Sequence, residues 1–274
     1  MAPEVGTFAF QEPTSETGLL NVHFHAPADW SDDGPVLMVM HGYKRNAETY
    51  RHDWRNVADD LGALLLAPEF DHQGYPTPRA YEVGAMRTPD RKSWMPPDLW
   101  TWSAVERAFD AAQARFGAKR DSYWLYGHSA GGQFVHRLAL YQADSRAEHI
   151  VAANAGAYSA IDDQRFPYGL GQNGPKVDVR QFLAQRITIL LGHKDRNTSA
   201  KVLLRSPEAL IQGPHRLARG RFFYQSGLRA AAALNAPCNW RIFEAPQAGH
   251  SNRLLAPVAG KLFAAAARSV DDEA

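Results

Sequence analysis

The sequence predicts an α/β fold: a doubly wound, mostly parallel sheet of about eight strands, with helices on both faces and no large cap domain. Three observations lead there. Short, continuous apolar runs recur along the chain, at residues 36–40, 64–67 and 187–191. A strand inside a parallel sheet is covered on both faces, so it reads as an unbroken apolar run rather than an alternation. Between these runs lie segments with apolar residues at helical spacing, which makes strand–helix–strand crossovers. Finally, the run at residues 123–126 leads into Gly127-His128-Ser129-Ala130-Gly131 and then into a helical stretch over residues 133–140. A sharp strand-to-helix turn needs small residues on either side of its apex, because the two backbones approach closely there.

The totals narrow the class. A chain of 274 residues with 45% hydrophobic residues can bury a large core, and without a linker or composition shift residues 1–274 read as one domain. The net charge of +1 offers no electrostatic case for nucleic acid or an anionic membrane as partner. Cys238 is the only cysteine, which rules out an intramolecular disulfide and a thiolate metal cluster. No apolar run reaches membrane-spanning length, and the first residues lack a basic segment followed by an apolar one. A cytoplasmic protein is expected.

In chain order, residues 1–35 read as extended structure. Leu20 to His25 alternate, placing His23 and His25 on one face as a two-residue metal candidate without a third ligand. Asp32-Asp33-Gly34-Pro35 signals a turn. After the strand at 36–40, Tyr50, Trp54, Val57, Ala58 and Leu61 repeat at helical spacing. The strand at 64–67 stops at Pro68, and residues 69–98 read as a long loop, a feature usually tied to function. A helix follows over residues 101–116. Beyond the Gly-x-Ser-x-Gly turn come a strand at 150–155, a loop at 161–180, the strand at 187–191, a helix over about 217–234, a last strand at 240–243 and a closing helix over 252–268.

Serine is a poor nucleophile at neutral pH and needs a base to take its proton; that base is commonly a histidine oriented by a carboxylate. Asp195 lies just past the strand at 187–191, and His250 lies between the last strand and the closing helix. Both fall at carboxyl ends of strands, where open α/β sheets place their sites. Asp162, Asp163 and Asp178 on the preceding loop are the alternative acids. His193 reads as a surface residue, His128 as packing beside the serine, and His41 as bonding to backbone. Stabilising an oxyanion takes two backbone N–H groups. Ala130, which opens the helix after Ser129, supplies one, and Tyr43, in the loop after the strand at 36–40, supplies the other.

These features resemble the α/β-hydrolases along nearly the whole chain. His41-Gly42-Tyr43-Lys44-Arg45-Asn46-Ala47-Glu48-Thr49-Tyr50 is similar to the oxyanion loop of the poly(3-hydroxybutyrate) depolymerase-like and feruloyl-esterase-like branch. Gly127-His128-Ser129-Ala130-Gly131-Gly132 and Gly249-His250-Ser251 fit the same branch. The resemblance implies a serine ester hydrolase with no metal or organic cofactor, acting on a small-molecule or oligomeric ester. Catalysis is expected from Ser129, Asp195 and His250, with Tyr43 and Ala130 as the oxyanion hole. Trp94, Trp100, Trp102, Tyr158, Phe166 and Tyr168, on the two loops flanking the serine, are the substrate-pocket candidates, with core packing as the competing reading. The same machinery also suits a thioesterase or an amide or peptide hydrolase, and a fold retained only for binding is the non-enzymatic alternative.

Overall fold

A computed structural model describes residues 3–171 and 174–271. Met1 and Ala2 of the extended amino-terminal segment, and Gln172 and Asn173 of the loop expected at 161–180, lie outside the described residues. The strands are β1 (Glu4–Gln11), β2 (Leu19–Ala26), β3 (Val36–Met40), β4 (Leu64–Pro68), β5 (Tyr123–His128), β6 (Ala147–Ala153), β7 (Ile187–Gly192) and β8 (Arg241–Ala245). They form one sheet in the order β1-β2-β4-β3-β5-β6-β7-β8. β1 with β2, and β2 with β4, run antiparallel; every other neighbour pair is parallel.

Side chains along the central strands alternate between two cores, as the period of two requires. Leu37, Val39, Leu65, Trp124 and Tyr126 point to one face. There they meet Trp54 and Val57 of helix α1 (Ala47–Leu61) and Leu255, Ala259 and Phe263 of helix α8 (Asn252–Asp271). Met38, Met40, Leu64, Leu66 and Leu125 point to the other. That face is covered by helices α3 (Ser103–Phe116), α4 (Ala130–Tyr141) and α7 (Arg216–Leu234). Short helices α2 (Pro78–Glu82), α5 (Val179–Ala184) and α6 (Pro207–Gln212) complete the set. Fully burying each Leu or Phe side chain stabilises the fold by roughly 2 kcal/mol, so these two layers carry most of the favourable free energy.

The three short helices fall in segments without enough periodicity to announce them, and local capping accounts for each. Thr77, Asp178 and Ser206 each accept a hydrogen bond from a backbone N–H in the first turn that follows. α1 begins at Ala47, a turn ahead of its first periodic apolar residue, and ends where Gly62 takes a left-handed conformation (φ 57°). Cys238 is half-buried and free. Among the described residues, no helix is long and apolar enough to cross a membrane.

Because β3, β5, β6, β7 and β8 are mutually parallel, their carboxyl ends share one edge of the sheet. The residues that follow these ends include Gly42, Ser129, Asn154, Asp195 and His250. Topology thus gathers, from across the sequence, the groups on which the site depends.

Candidate active site

Ser129 stands between β5 and α4 with φ 59° and ψ −112°, a conformation L-residues rarely adopt. The turn is possible because the flanking positions are glycine. A Cβ on Gly131 would sit 2.2 Å from the Met40 carbonyl oxygen, and one on Gly127 would collide with the Gly131 backbone. The Ser129 N–H donates to the Ala153 carbonyl (2.9 Å), which pins the turn to the end of β6.

The side chains of Ser129, His250 and Asp195 lie in line. His250 Nε2 is 3.1 Å from Ser129 Oγ, and His250 Nδ1 is 2.7 Å from Asp195 Oδ2. With Nδ1–H donating to the carboxylate, Nε2 presents a lone pair to the serine hydroxyl. Asp195 is buried, while the His250 side chain stays 28% exposed, so the acid is sheltered and the base opens to solvent on the serine side. Two of the three alternative acids are engaged elsewhere: Asp178 caps α5, and Asp162 accepts from the Gln164 backbone and side-chain amides.

The sequence reading did not single out Arg216. Its Nη1 lies 3.5 Å from Asp195 Oδ1, with both side chains almost wholly buried. Burial pulls the guanidinium pKa down, and the charge of Asp195 opposes this. The Leu217 N–H also donates to the Asp195 carbonyl, so the start of α7 holds the acid by main chain and side chain. No periodicity or motif marks Arg216; its role arises from where α7 begins.

Three other histidines have hydrogen-bond partners of their own. His41 Nε2 accepts from the Phe70 N–H (3.0 Å), leaving Nδ1–H to donate to the Gly42 carbonyl (3.1 Å). Burial, reinforced by Arg45, drives its pKa down to about 3, so it stays neutral and braces the loop after β3. His128 Nδ1 accepts from the Tyr50 hydroxyl (3.0 Å), and its ring lies 4.7 Å from that of His250. Burial, then the charges of His250 and Arg216, hold its pKa well below the usual histidine range. His193 faces Glu244 at 3.0 Å on the surface, where Arg221 is the main reason the carboxyl sits at about 2.

Gly42 and Ser129 are neighbours in space: a Cβ on Gly42 would lie 3.7 Å from Ser129 Cβ. The Tyr50 hydroxyl, which bonds His128, also lies against Gly42, 2.8 Å from where a Cβ would stand. The next N–H along the loop belongs to Tyr43, whose side chain is exposed. Ala130 opens α4, so its N–H has no carbonyl one turn back to receive it. Neither amide donates to another protein group among the described residues.

Three of the six aromatic pocket candidates prove to be core residues, which corrects the reading for those three. Trp102 and Tyr158 are completely buried and Trp100 is 7% exposed. Trp102 stacks on Tyr141 at 5.6 Å, and Tyr158 on Phe223 at 4.6 Å. Trp94 and Phe166 pack edge to face at 5.8 Å, and Phe166 meets Tyr141. Tyr141 ends α4, which begins beside Ser129; at 1.5 Å per residue the two are about 16 Å apart along the helix. Trp102, Phe166 and, through Phe166, Trp94 therefore pack on the far end of α4, while Tyr158 packs on Phe223 of α7 and His136 midway along α4. The Tyr168 backbone bonds Ala160, Arg165 and Gln212, and the residue is half-buried. The physical reason is size: large rings in irregular loops are what anchors those loops to a helix.

Among the described residues no group of three or more His, Cys, Asp or Glu side chains is placed to hold a metal ion. His23 bonds Thr7 and faces Glu69, and His25 bonds Asp59.

Comparison with known proteins bears on this arrangement. No protein-family model matches the chain, and no curated protein does. Among solved structures it is similar to poly(aspartic acid) hydrolase-1 from Sphingomonas sp. KT-1, at 38% identity and a TM-score of 0.89 over 96% of this chain and 99% of that one. It is also similar to LpqC, a poly(3-hydroxybutyrate) depolymerase from Bordetella parapertussis, at 33% identity and a TM-score of 0.87 over 95% and 90% of the two chains. An S-formylglutathione hydrolase, FrmB from Staphylococcus aureus, shares the fold at 16% identity and a TM-score of 0.60 over 95% and 97% of the two chains. With its sheet order and its turn at Ser129, the chain belongs to the α/β-hydrolases. Within them it falls in the poly(3-hydroxybutyrate) depolymerase-like branch, and its class of activity is that of a hydrolase.

Proposed function

We propose that the protein is a serine hydrolase that cleaves carboxylic esters through an acyl-enzyme on Ser129. The observation that carries the reading is the alignment of Ser129 Oγ, His250 and the buried Asp195 carboxylate at 3.1 and 2.7 Å. His250 takes the serine proton as Oγ attacks the ester carbonyl. The imidazolium is held by Asp195, and the oxyanion receives the N–H groups of Ala130 and Tyr43. His250 then protonates the leaving alkoxide, and the alcohol departs. Water, deprotonated by the same histidine, attacks the acyl-enzyme and releases the acid. Both half-reactions use protein groups and water alone.

Two relatives above 30% identity carry the names of polymer hydrolases, one of a polyester and one of a polyamide. A 3-hydroxyacyl ester suits the site directly, since its leaving group is an alcohol. An amide needs fuller protonation of its leaving nitrogen by His250, which the same geometry allows. A panel of p-nitrophenyl esters, oligomeric 3-hydroxybutyrate and poly(aspartic acid) separates these substrates. Ser129→Ala is expected to lower kcat by about 10⁴-fold or more and to abolish labelling by a fluorophosphonate, with an unchanged melting temperature. A folded Ser129→Ala protein with wild-type turnover refutes the assignment.

A further inference from the structure

Asn154 is completely buried at the carboxyl end of β6, and its side chain hydrogen-bonds neither Ser129 nor His250. Its backbone enters the left-handed region (φ 44°), which asparagine tolerates better than most non-glycine residues. This turns the carboxamide across the sheet edge toward the two following strand ends. Oδ1 accepts from the Gly192 N–H at 2.8 Å, and Nδ2 donates to the Gly249 carbonyl at 2.9 Å. Gly192 closes β7 and accepts from the Asp195 N–H (2.9 Å), while Gly249 directly precedes His250. One side chain therefore bridges the loop that carries the acid and the loop that carries the base.

The two loops are otherwise joined by the His250–Asp195 bond itself, by Lys194 Nζ donating to Gln247 Oε1 (2.9 Å) at the surface, and by two main-chain bonds. The His193 N–H donates to the Ala245 carbonyl, and the Lys194 N–H to the Ala248 carbonyl. Neither bond reaches Gly249. We infer that Asn154 is a positioning residue: it sets the spacing between the Asp195 and His250 loops and so holds the imidazole in line with the serine. The inference rests on the roles given to Ser129, His250 and Asp195 under the proposed function. The chemistry asks for an asparagine, because the bridge needs a donor and an acceptor on one short, planar group. Aspartate retains the acceptor for Gly192 but opposes a lone pair to the Gly249 carbonyl. Alanine leaves the buried Gly192 N–H unpaired and takes the donor from the part-buried Gly249 carbonyl. Displacements well under an ångström at a general base cost rate rather than binding, since the substrate is held elsewhere.

The test is steady-state kinetics of Asn154→Ala and Asn154→Asp on a p-nitrophenyl ester from pH 5 to 9, beside fluorophosphonate labelling of the wild type and Ser129→Ala. His250 is faced by Asp195, by His128 from β5, and through Asp195 by Arg216 from α7. None of these is altered in the variants. Asn154→Ala is expected to lower kcat ten- to a hundredfold with KM within twofold, and to move the acid limb of the profile to lower pH, because a loosened carboxylate favours the imidazolium less. Asn154→Asp is expected to recover activity relative to wild type as pH falls, since a protonated carboxyl regains a donor for Gly249. Wild-type kcat in both variants, or a kcat loss with an unmoved acid limb, overturns the inference. Should Asn154→Ala not fold, a pH-independent ratio of Asn154→Asp to wild type overturns it. Equal labelling of wild type and Ser129→Ala defeats the proposed function instead, and is read separately.

Discussion

Replacing Asp195 with asparagine tests the acid's two roles at once. The carboxylate lies 2.7 Å from His250 Nδ1 and 3.5 Å from Arg216 Nη1, in a buried position. Opposite unit charges 3.5 Å apart attract by roughly 5 kcal/mol at an effective dielectric of about 20. Desolvation and the long contact leave a smaller net loss when one charge is removed and the other stays buried, about 2–3 kcal/mol. At roughly 2–4 °C per kcal/mol for a chain of this size, Asp195→Asn should melt about 5–10 °C below wild type. Activity should fall about 10³–10⁴-fold in kcat, since an amide N–H aimed at Nδ1 favours the tautomer whose Nε2 carries the hydrogen and cannot accept from Ser129. The decisive arm is the double variant Asp195→Asn with Arg216→Met. Removing both charges should restore at least half of the lost melting temperature and none of the activity. Differential scanning calorimetry and ester hydrolysis on the four proteins of the cycle read both effects. A single variant as stable as wild type, or a double variant no more stable than the single, refutes the view that Arg216 is held by Asp195.

Two further outcomes follow from the same structure. His41, His128 and His136 are buried with pKa values pulled down, His41 to about 3, chiefly by burial, while an unfolded histidine titrates near 6.5. The unfolded chain therefore binds more protons below 6.5, so stability is fully present above that pH and is lost as pH falls toward 3. Each residue contributes up to about 1.4 kcal/mol per pH unit, roughly 4 kcal/mol per unit for the three. Urea denaturation at pH 7.5 and 5.5 checks this, and identical midpoints would contradict it. Gly131→Ala should destabilise by about 3 kcal/mol or more and impair turnover, since its Cβ would fall 2.2 Å from the Met40 carbonyl in a backbone-to-backbone contact. Near-wild-type melting and activity would show that the turn at Ser129 is less tightly packed than described.

Much of the architecture was legible in one dimension. Unbroken apolar runs located β3, β4, β5 and β7 because a two-sided core leaves no polar face to interrupt them. Ser129 and Asp195 could be named because each closely follows such a run, His250 because it lies between the last strand and the closing helix, and parallel strands end on a common edge. The short helices α2, α5 and α6 were not legible, since five or six residues hold too little periodicity to outweigh loop composition. Trp100, Trp102 and Tyr158 misled for a related reason. A tryptophan in a loop has the same composition whether it lines a pocket or fastens that loop, and only the position of Tyr141 at the far end of α4 separates the two.

Local chemistry, read along the chain, was enough to single out Ser129, His250 and Asp195, which the structure brings within hydrogen-bonding distance, because strand-following loops and small-residue turns are properties of neighbouring residues. Arg216 and Asn154 are different. Nothing near Arg216 in sequence says that its guanidinium will be buried against Asp195, and nothing near Asn154 says that its amide will span Gly192 and Gly249. Those contacts join strand ends that the sheet order alone makes adjacent. Their worth comes from burial, where an unpaired charge or amide is costly, and burial exists only once the layers have packed.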